Sequence, residues 1–338
     1  MRSHLDVIVR RGSVPESRHR IQAVVCDAAG RVVDGTERPE LVTTWRSAAK
    51  PFQLLPLVER GHADRWGFTD EQLAMMAASH VGSPEHIAIV RTILERIGRE
   101  VSDLACGYHD PIDAESLDLV RAHPRQRTAL YNNCSGKHAG MIAMALAEGW
   151  PVEGYHLAEH PLQRSIQGVV AELSGVPENE LRTGIDGCSV PVFGLPLSGM
   201  ATAYARLAAA RPDGTARERA LARIREVMVR HPHLTEGHGR FSSELMVATG
   251  GRLTAKVGAE GLECVAWPER GLGVALKCED GAGRGTEPAA MAMLERLGAI
   301  DATALERLER FRRPRLTNVL GLEVGWLDAR LRSSSPLA

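Results

Sequence analysis

A chain of 338 residues, 44% hydrophobic and 25% charged, can bury a sizeable core as one large domain or two of ordinary size. Its 41 lysines and arginines stand against 42 aspartates and glutamates, so no global field draws it to nucleic acid or an anionic membrane, and a small-molecule partner is favoured. No apolar run approaches the roughly 20 residues of a membrane span, and Met1 to Val14 carries mixed charges where an export signal has an apolar core. With six scattered cysteines (Cys26, Cys106, Cys134, Cys188, Cys264 and Cys278), the expectation is a cytoplasmic protein without a disulfide framework.

The chain opens with sheet: Val7 to Val9, Ile21 to Cys26 and Arg31 to Val33 read as short strands around a Gly-containing turn. From Lys50 to Arg60, Asp70 to Ser79 and Pro84 to Ile97, apolar residues recur at three- and four-residue spacing, and Gly61, Gly82 and Gly98 act as stops. Further helices are expected at Lys137 to Ala147, Pro161 to Leu173, Leu197 to Ala210, Ala216 to Val229 and Phe241 to Ala248. Leu253 to Val257, Glu263 to Trp267 and Gly273 to Cys278 return to strand, and Glu287 to Leu297 and Ala302 to Phe311 to helix. Strands that bracket a helical middle predict an α+β fold, with one antiparallel sheet assembled from both ends, helices on its faces and a helix-rich subdomain. The expected organisation is a single catalytic domain over residues 1–330, followed by a flexible Ser-rich tail over 331–338.

Two serines stand out as nucleophile candidates. In the segment Trp45 to Pro51, Ser47 precedes Lys50 by three positions as a helical pattern begins. Residues three apart share a helix face, so the Lys50 amine can reach the Ser47 hydroxyl, and the unpaired N–H groups of a helix start favour developing negative charge. Lys50 must then lose its charge part of the time, which burial or a second cation promotes. The plain alternative is an N-cap serine beside a solvated lysine. Ser79 and His80 end an apolar helix, either as function carried on a loop edge or as decoration of a helix terminus. Lys256 closes a strand beside Gly258, as a second base or as a lysine on the solvent face of a sheet.

Cys134, within Tyr131 to Gly140, and Cys188, within Ile185 to Pro191, lie in polar knots between apolar stretches. They are open to a soft metal such as zinc with help from Lys137, His138 or Asp186, to a buried-thiol role, or to redox chemistry. His231, His233 and His238 read as a solvated loop. No GxSxG elbow, HExxH pair or phosphate-binding loop is present.

Taken in order, RSAAKPFQ (Arg46 to Gln53), SHVGSPEH (Ser79 to His86), NNCSGKHAGM (Asn132 to Met141), DGCSVP (Asp186 to Pro191), AKVGAEG (Ala255 to Gly261) and EDGAGR (Glu279 to Arg284) resemble the rhizobial-type L-asparaginases, also called the asparaginase II or class 3 family. The resemblance implies a fold similar to serine β-lactamases, penicillin-binding proteins and glutaminases, and a homodimer. It implies hydrolysis of L-asparagine to L-aspartate and ammonia, with two Ser-Lys pairs, Ser47 with Lys50 and Ser79 with Lys256, and Ser47 as the first-choice nucleophile. It implies substrate-facing positions at His80, Asn133, His138 and Asp186, and zinc held by Cys134, Lys137 and Cys188. Lysine ligates only as the neutral amine, so such a site weakens as pH falls. The competing expectations are a glutaminase or other SxxK amidohydrolase, since one methylene of substrate length is worth about 1 to 3 kcal/mol, and a non-catalytic zinc or amino-acid sensor.

Overall fold

The computed structural model describes residues 3–333. Its strands are β1 (Ser3–Arg11), β2 (Val14–Asp27), β3 (Val32–Gly35), β4 (Val42–Thr44), β5 (Arg182–Ile185), β6 (Pro191–Pro196), β7 (Thr254–Gly258), β8 (Leu262–Trp267), β9 (Leu272–Cys278), β10 (Arg315–Thr317) and β11 (Glu323–Ser333). Its α-helices are α1 (Lys50–Glu59), α2 (His62–Arg65), α3 (Asp70–Met76), α4 (Pro84–Arg96), α5 (Ala114–Ala122), α6 (Ser135–Ala147), α7 (Pro161–Ser174), α8 (Leu197–Ala209), α9 (Ala216–Arg230), α10 (Pro232–Thr235), α11 (Phe241–Ala248), α12 (Gly283–Arg296), α13 (Ala302–Arg307) and α14 (Glu309–Arg312). Contacts divide the chain into two compact units. One comprises the chain up to Ala48, Leu195–Ala209 and the chain from Glu244; the other comprises Ala49–Gly194 and Ala210–Ser243.

The first unit is built on an eight-stranded sheet in the order β10-β11-β1-β2-β9-β8-β7, with β3 paired to β2. Its pairs are antiparallel. In β1 the side chains of Leu5, Val7 and Val9 are buried and their neighbours half-buried, the period-2 pattern of a strand with one face on the core. In β8 every residue is buried, as befits an interior strand covered on both faces. Helix α8 packs on β2, β8 and β9, and α12 on β1, β2, β8, β9 and β11. A Cβ on Gly273 would run into the α8 backbone at Ala201 O, whereas the Cys278 side chain meets Gly285 of α12. Positions 273 and 278 differ by an odd number along β9, so α8 and α12 cover opposite faces. The expected α+β architecture, one antiparallel sheet assembled from both ends of the chain with helices on both faces, is what forms.

Strand β11 pairs with β1 from Ser3↔Ser333 to Arg11↔Gly325. Leu331, Arg332 and Ser333 therefore belong to the sheet and not to the tail expected from residue 331; the rest of that tail, 334–338, lies outside the described residues. The sequence hid this strand because its apolar residues are interleaved with charges (EVGWLDARLRS) and, among residues 323–332, only Gly325 and Leu327 are buried.

The second unit is mainly helical. Helix α1 packs on α2, α6, α7 and α9, and α3 on α4, α6, α9 and α10. Prolines stand at both the start and the interior of α1; Pro51 is tolerated where the first-turn N–H has no partner. A β5–β6 hairpin pairs Arg182↔Gly194 through Ile185↔Pro191. No helix among the described residues is long and apolar enough to cross a membrane.

Candidate active site

In the second unit, α1, the end of α3 and the start of α6 bring a lysine to a serine. Lys50 is the first residue of α1 and is 1% exposed. Its Nζ donates to Ser79 Oγ at 2.9 Å, to Ala78 O at 2.6 Å and to Asn133 O at 3.2 Å. Ser79 stands beyond Met76, where α3 ends, so the expected helix is shorter than its apolar pattern. The Ser79 N–H donates to Thr235 O at 2.8 Å, which fixes the residue outside a helix. Among these three oxygens only the Ser79 hydroxyl carries a proton, and the Cys134 sulfur is a further partner of Lys50. Burial, joined by the Lys137 charge and opposed by Cys134 and Cys188, pulls the Lys50 ammonium down from its ordinary value.

Sequence spacing alone pairs Lys50 with Ser47; the Ser79 contact closes over 29 positions of chain. Ser47 belongs to the first unit and lies half-buried in a 3-10 helix, Arg46–Ala49, that leads into α1. Arg46 has φ of 48°, a left-handed conformation rarely adopted by arginine. Lys256 also belongs to the first unit, on β7; it is 0% exposed, not on a solvent face, and its Nζ donates to Val257 O at 3.0 Å.

Around Lys50 a second cluster gathers at the N-terminus of α6. Asn132 Oδ1 accepts from Cys134 N at 2.9 Å, and its Nδ2 donates to Cys106 O at 2.9 Å, clamping the turn that starts the helix. Asn133 is held by its backbone, whose N–H donates to His109 Nε2 at 2.9 Å. Cys134 and Lys137, three apart, face the hairpin loop between β5 and β6. There Asp186 N donates to Val190 O and Ser189 N to Asp186 O, both at 2.9 Å. Ser189, next to Cys188, has φ of 74°. Lys137 Nζ donates to Cys188 Sγ at 2.9 Å. A hydrogen bond from Cys188, against the effect of burial and with help from Lys137 and Lys50, holds Cys134 well below the usual thiol value. Cys188 is correspondingly pushed up. Burial pulls Lys137 down, but Cys134, Cys188 and Asp186 outweigh it and keep the ammonium above its ordinary value.

Two buried sulfurs and an amine within contact form a donor set that suits zinc, which takes S and N ligands in tetrahedral geometry. The 2.9 Å between Lys137 Nζ and Cys188 Sγ is a hydrogen bond, tighter than the about 3.6 Å between two such ligands of one tetrahedral ion. An ion would therefore take the place of the protons the cluster now shares.

His138 and His80, both 0% exposed, are read from their hydrogen bonds. Tyr155 Oη accepts from Ala105 N at 2.9 Å and must place its own proton, which goes to His138 Nδ1 at 2.6 Å. With Nδ1 accepting that hydrogen bond, His138 carries its hydrogen on Nε2, towards the Cys188 backbone; an N–H cannot ligate a metal. Burial and the neighbouring Lys137 hold His138 well below its usual value, with the Cys188 backbone opposing. His80 Nδ1 accepts from Gly82 N at 3.1 Å, and Nε2 faces Ser135 Oγ at 2.8 Å, whose hydroxyl donates to Leu130 O. Both ring nitrogens of His80 thus have hydrogen-bond partners within the protein. Asp186 is half-buried and accepts from Gly187 N at 2.7 Å. Asn132 and Tyr155 were missed in the sequence; the Asn-Asn pair was the one available signal.

No curated protein matches the chain. Among solved structures, it is similar to Mglu at 16% identity and TM-score 0.36, covering 83% of this chain and 67% of that one. It spans 62% of Mglu in its glutamate form. It is similar also to the octameric penicillin-binding protein homologue from Pyrococcus abyssi, at 16% identity and TM-score 0.36, covering 89% and 79%. The L-asparaginase II family matches residues 7–329, nearly all of the chain. The chain therefore belongs to the L-asparaginase II family of asparaginase-type amidohydrolases.

Proposed function

We propose that the protein is an L-asparaginase that hydrolyses L-asparagine to L-aspartate and ammonia through a serine acyl-enzyme. The observation that carries the Ser-Lys chemistry is the buried Lys50 Nζ, 2.9 Å from Ser79 Oγ. A buried lysine with a lowered proton affinity can take a serine proton. The serine oxygen then attacks the side-chain amide carbon. As the C–N bond breaks, the lysine returns the proton to the departing ammonia. Water, deprotonated in turn by the lysine, attacks the ester to give aspartate and the free serine.

The family resemblance adds Ser47 as the residue that carries the acyl group, with Ser79 and Lys256 relaying protons. It also adds zinc at Cys134, Lys137 and Cys188. When bound, zinc supplies a fixed positive charge that orients the substrate, alongside the Nε2–H of His138 and the carboxylate of Asp186. Cytoplasmic location and a homodimer complete the reading.

The test is ammonia release from L-asparagine, with L-glutamine in parallel, by the wild type, Ser47→Ala and Ser79→Ala, together with mass spectrometry of the rapidly quenched enzyme. An aspartyl adduct on Ser47 and loss of activity in Ser47→Ala are expected. An adduct on Ser79 exchanges the two roles. Faster release from glutamine makes the enzyme a glutaminase, and no release from either amide, with zinc present, ends the hydrolase reading for both substrates.

A further inference from the structure

In the first unit, a separate set of metal-ligating side chains stands where β2, β9 and the turn into α12 meet. His19 on β2 is 4% exposed and Cys278, the last residue of β9, is 0% exposed. Asp280, in the following turn, has a side chain 48% exposed. One ligand atom from each lies within 4.8 Å of the other two. His19 Nδ1 is 2.7 Å from Asp280 Oδ2, and Cys278 Sγ is 2.8 Å from Asp280 Oδ1.

Backbone hydrogen bonding holds all three residues in place, His19 by its pairing with Val7 of β1. Cys278 N donates to Gly261 O at 2.7 Å and Ala282 N to Asp280 Oδ1 at 3.0 Å. Glycines make the approach possible. A Cβ on Gly261 would come within 2.7 Å of Cys278 Cβ, and one on Gly285 within 3.0 Å of His19 Cβ and 3.4 Å of Cys278 Sγ.

The geometry points to a second cation site, made by His19 Nδ1, Cys278 Sγ and an Asp280 carboxylate oxygen, for a borderline divalent transition ion such as zinc or cobalt(II). An imidazole nitrogen, a thiolate and a carboxylate suit such ions, whereas calcium and magnesium take oxygen ligands. The exposed carboxylate leaves one side open to water, for entry and for a fourth ligand.

Arg284 controls the site through the histidine ring. Its Nε donates to His19 Nε2 at 2.9 Å and its Nη2 to Ser17 Oγ at 3.1 Å. A neutral imidazole has one ring lone pair. Arg284 claims it at Nε2, so the ring proton sits on Nδ1 and is donated to Asp280. An ion on Nδ1 needs that lone pair. Binding therefore moves the ring proton to Nε2, turns the exposed Arg284 away towards Ser17, and releases the Cys278 thiol proton to solvent. Arginine and ion compete for the ring's one lone pair from its two nitrogens, and removing the arginine should tighten the ion.

The test adds cobalt(II) alone to metal-stripped, full-length protein in the Cys188→Ser background, where the other sulfur-containing set lacks a ligand. Sulfur-to-cobalt charge-transfer absorption reports a thiolate ligand, and circular dichroism confirms the fold. A band that saturates at one cobalt per chain is expected. It should vanish on adding Cys278→Ser, weaken by about tenfold or more in affinity on adding Asp280→Asn, and tighten by about tenfold on adding Arg284→Ala. Because Asp280 faces solvent, Asp280→Asn keeps the test valid if Cys278→Ser does not fold. No band in the Cys188→Ser protein, a band that survives Cys278→Ser, or an affinity indifferent to Asp280→Asn overturns the site. An affinity unchanged or weakened by Arg284→Ala overturns the proton exchange on His19. Neither result depends on which amide the enzyme hydrolyses.

Discussion

Lys50 is three positions from one serine in the chain and 2.9 Å from another in space. Its buried side chain donates to the Ser79 hydroxyl and to the Ala78 and Asn133 carbonyls, so Lys50→Met removes the proton acceptor and these three hydrogen bonds. Asparagine hydrolysis should fall by about a hundred- to ten-thousand-fold, the range for loss of a positioned base; steady-state ammonia release checks this, and activity within a few-fold of wild type refutes the role. A structural residue behaves differently. Glu148 Oε1 lies 2.5 Å from His62 Nε2 and 3.2 Å from Arg60 Nη1. The His62 hydrogen bond first, then Arg60 against the effect of burial, hold its carboxyl below the ordinary value. A carboxyl depressed on folding adds stability above its unfolded value of about 4.3 and loses it as pH falls through the lower folded one. Arg60 is 41% exposed, so solvent limits the ion pair to about 0–1 kcal/mol. Glu148→Gln should thus melt earlier than wild type at pH 7, with the gap narrowing towards pH 3; a gap independent of pH contradicts the charge-based account.

At the scale of elements, close approach of helices sets the site, and glycine permits it. A Cβ on Gly136 of α6 would lie 2.4 Å from Met75 O and 2.8 Å from Met75 Cγ of α3. Alanine's helix propensity favours the substitution by about 1 kcal/mol, but a backbone carbonyl cannot move aside as a side chain can. Gly136→Ala should therefore destabilise by about 1–3 kcal/mol and disturb the first turn of α6, where Lys137 sits. A Cβ on Gly168 in α7 would meet nothing within 4 Å, so Gly168→Ala should stabilise by about 0.5–1 kcal/mol. Urea denaturation of the two variants should place them on opposite sides of wild type; the same sign for both refutes the packing argument. Element type was largely legible in the chain because α1, α4, α7 and α9 carry strong helical periodicity and β7 to β9 are bounded by glycine turns. The boundary at Ser79 was not, since the apolar pattern runs past Met76, where α3 ends, and the Ser79 N–H turns to Thr235 O of a distant segment.

For the whole molecule, the sheet needs the chain's C-terminal strand. β11 lies between β10 and β1, so ending the chain after Arg313 would expose the β1 backbone as a new edge and remove Leu327 from the core. Such a truncation should yield aggregated protein; soluble protein with native near-ultraviolet dichroism would contradict the topology. What the sequence by itself determined was local or additive: composition, helical and strand periods, and six co-linear motifs that placed the chain in its family and named Cys134, Lys137 and Cys188 as a candidate ligand set. What only the tertiary structure decided was which groups meet. The Lys50–Ser79 contact, the Tyr155–His138 hydrogen bond, the two committed nitrogens of His80 and the β11–β1 pairing each join residues from different elements. Side-chain chemistry travels with the residue, whereas a hydrogen bond exists only when packing of distant segments brings donor and acceptor within reach.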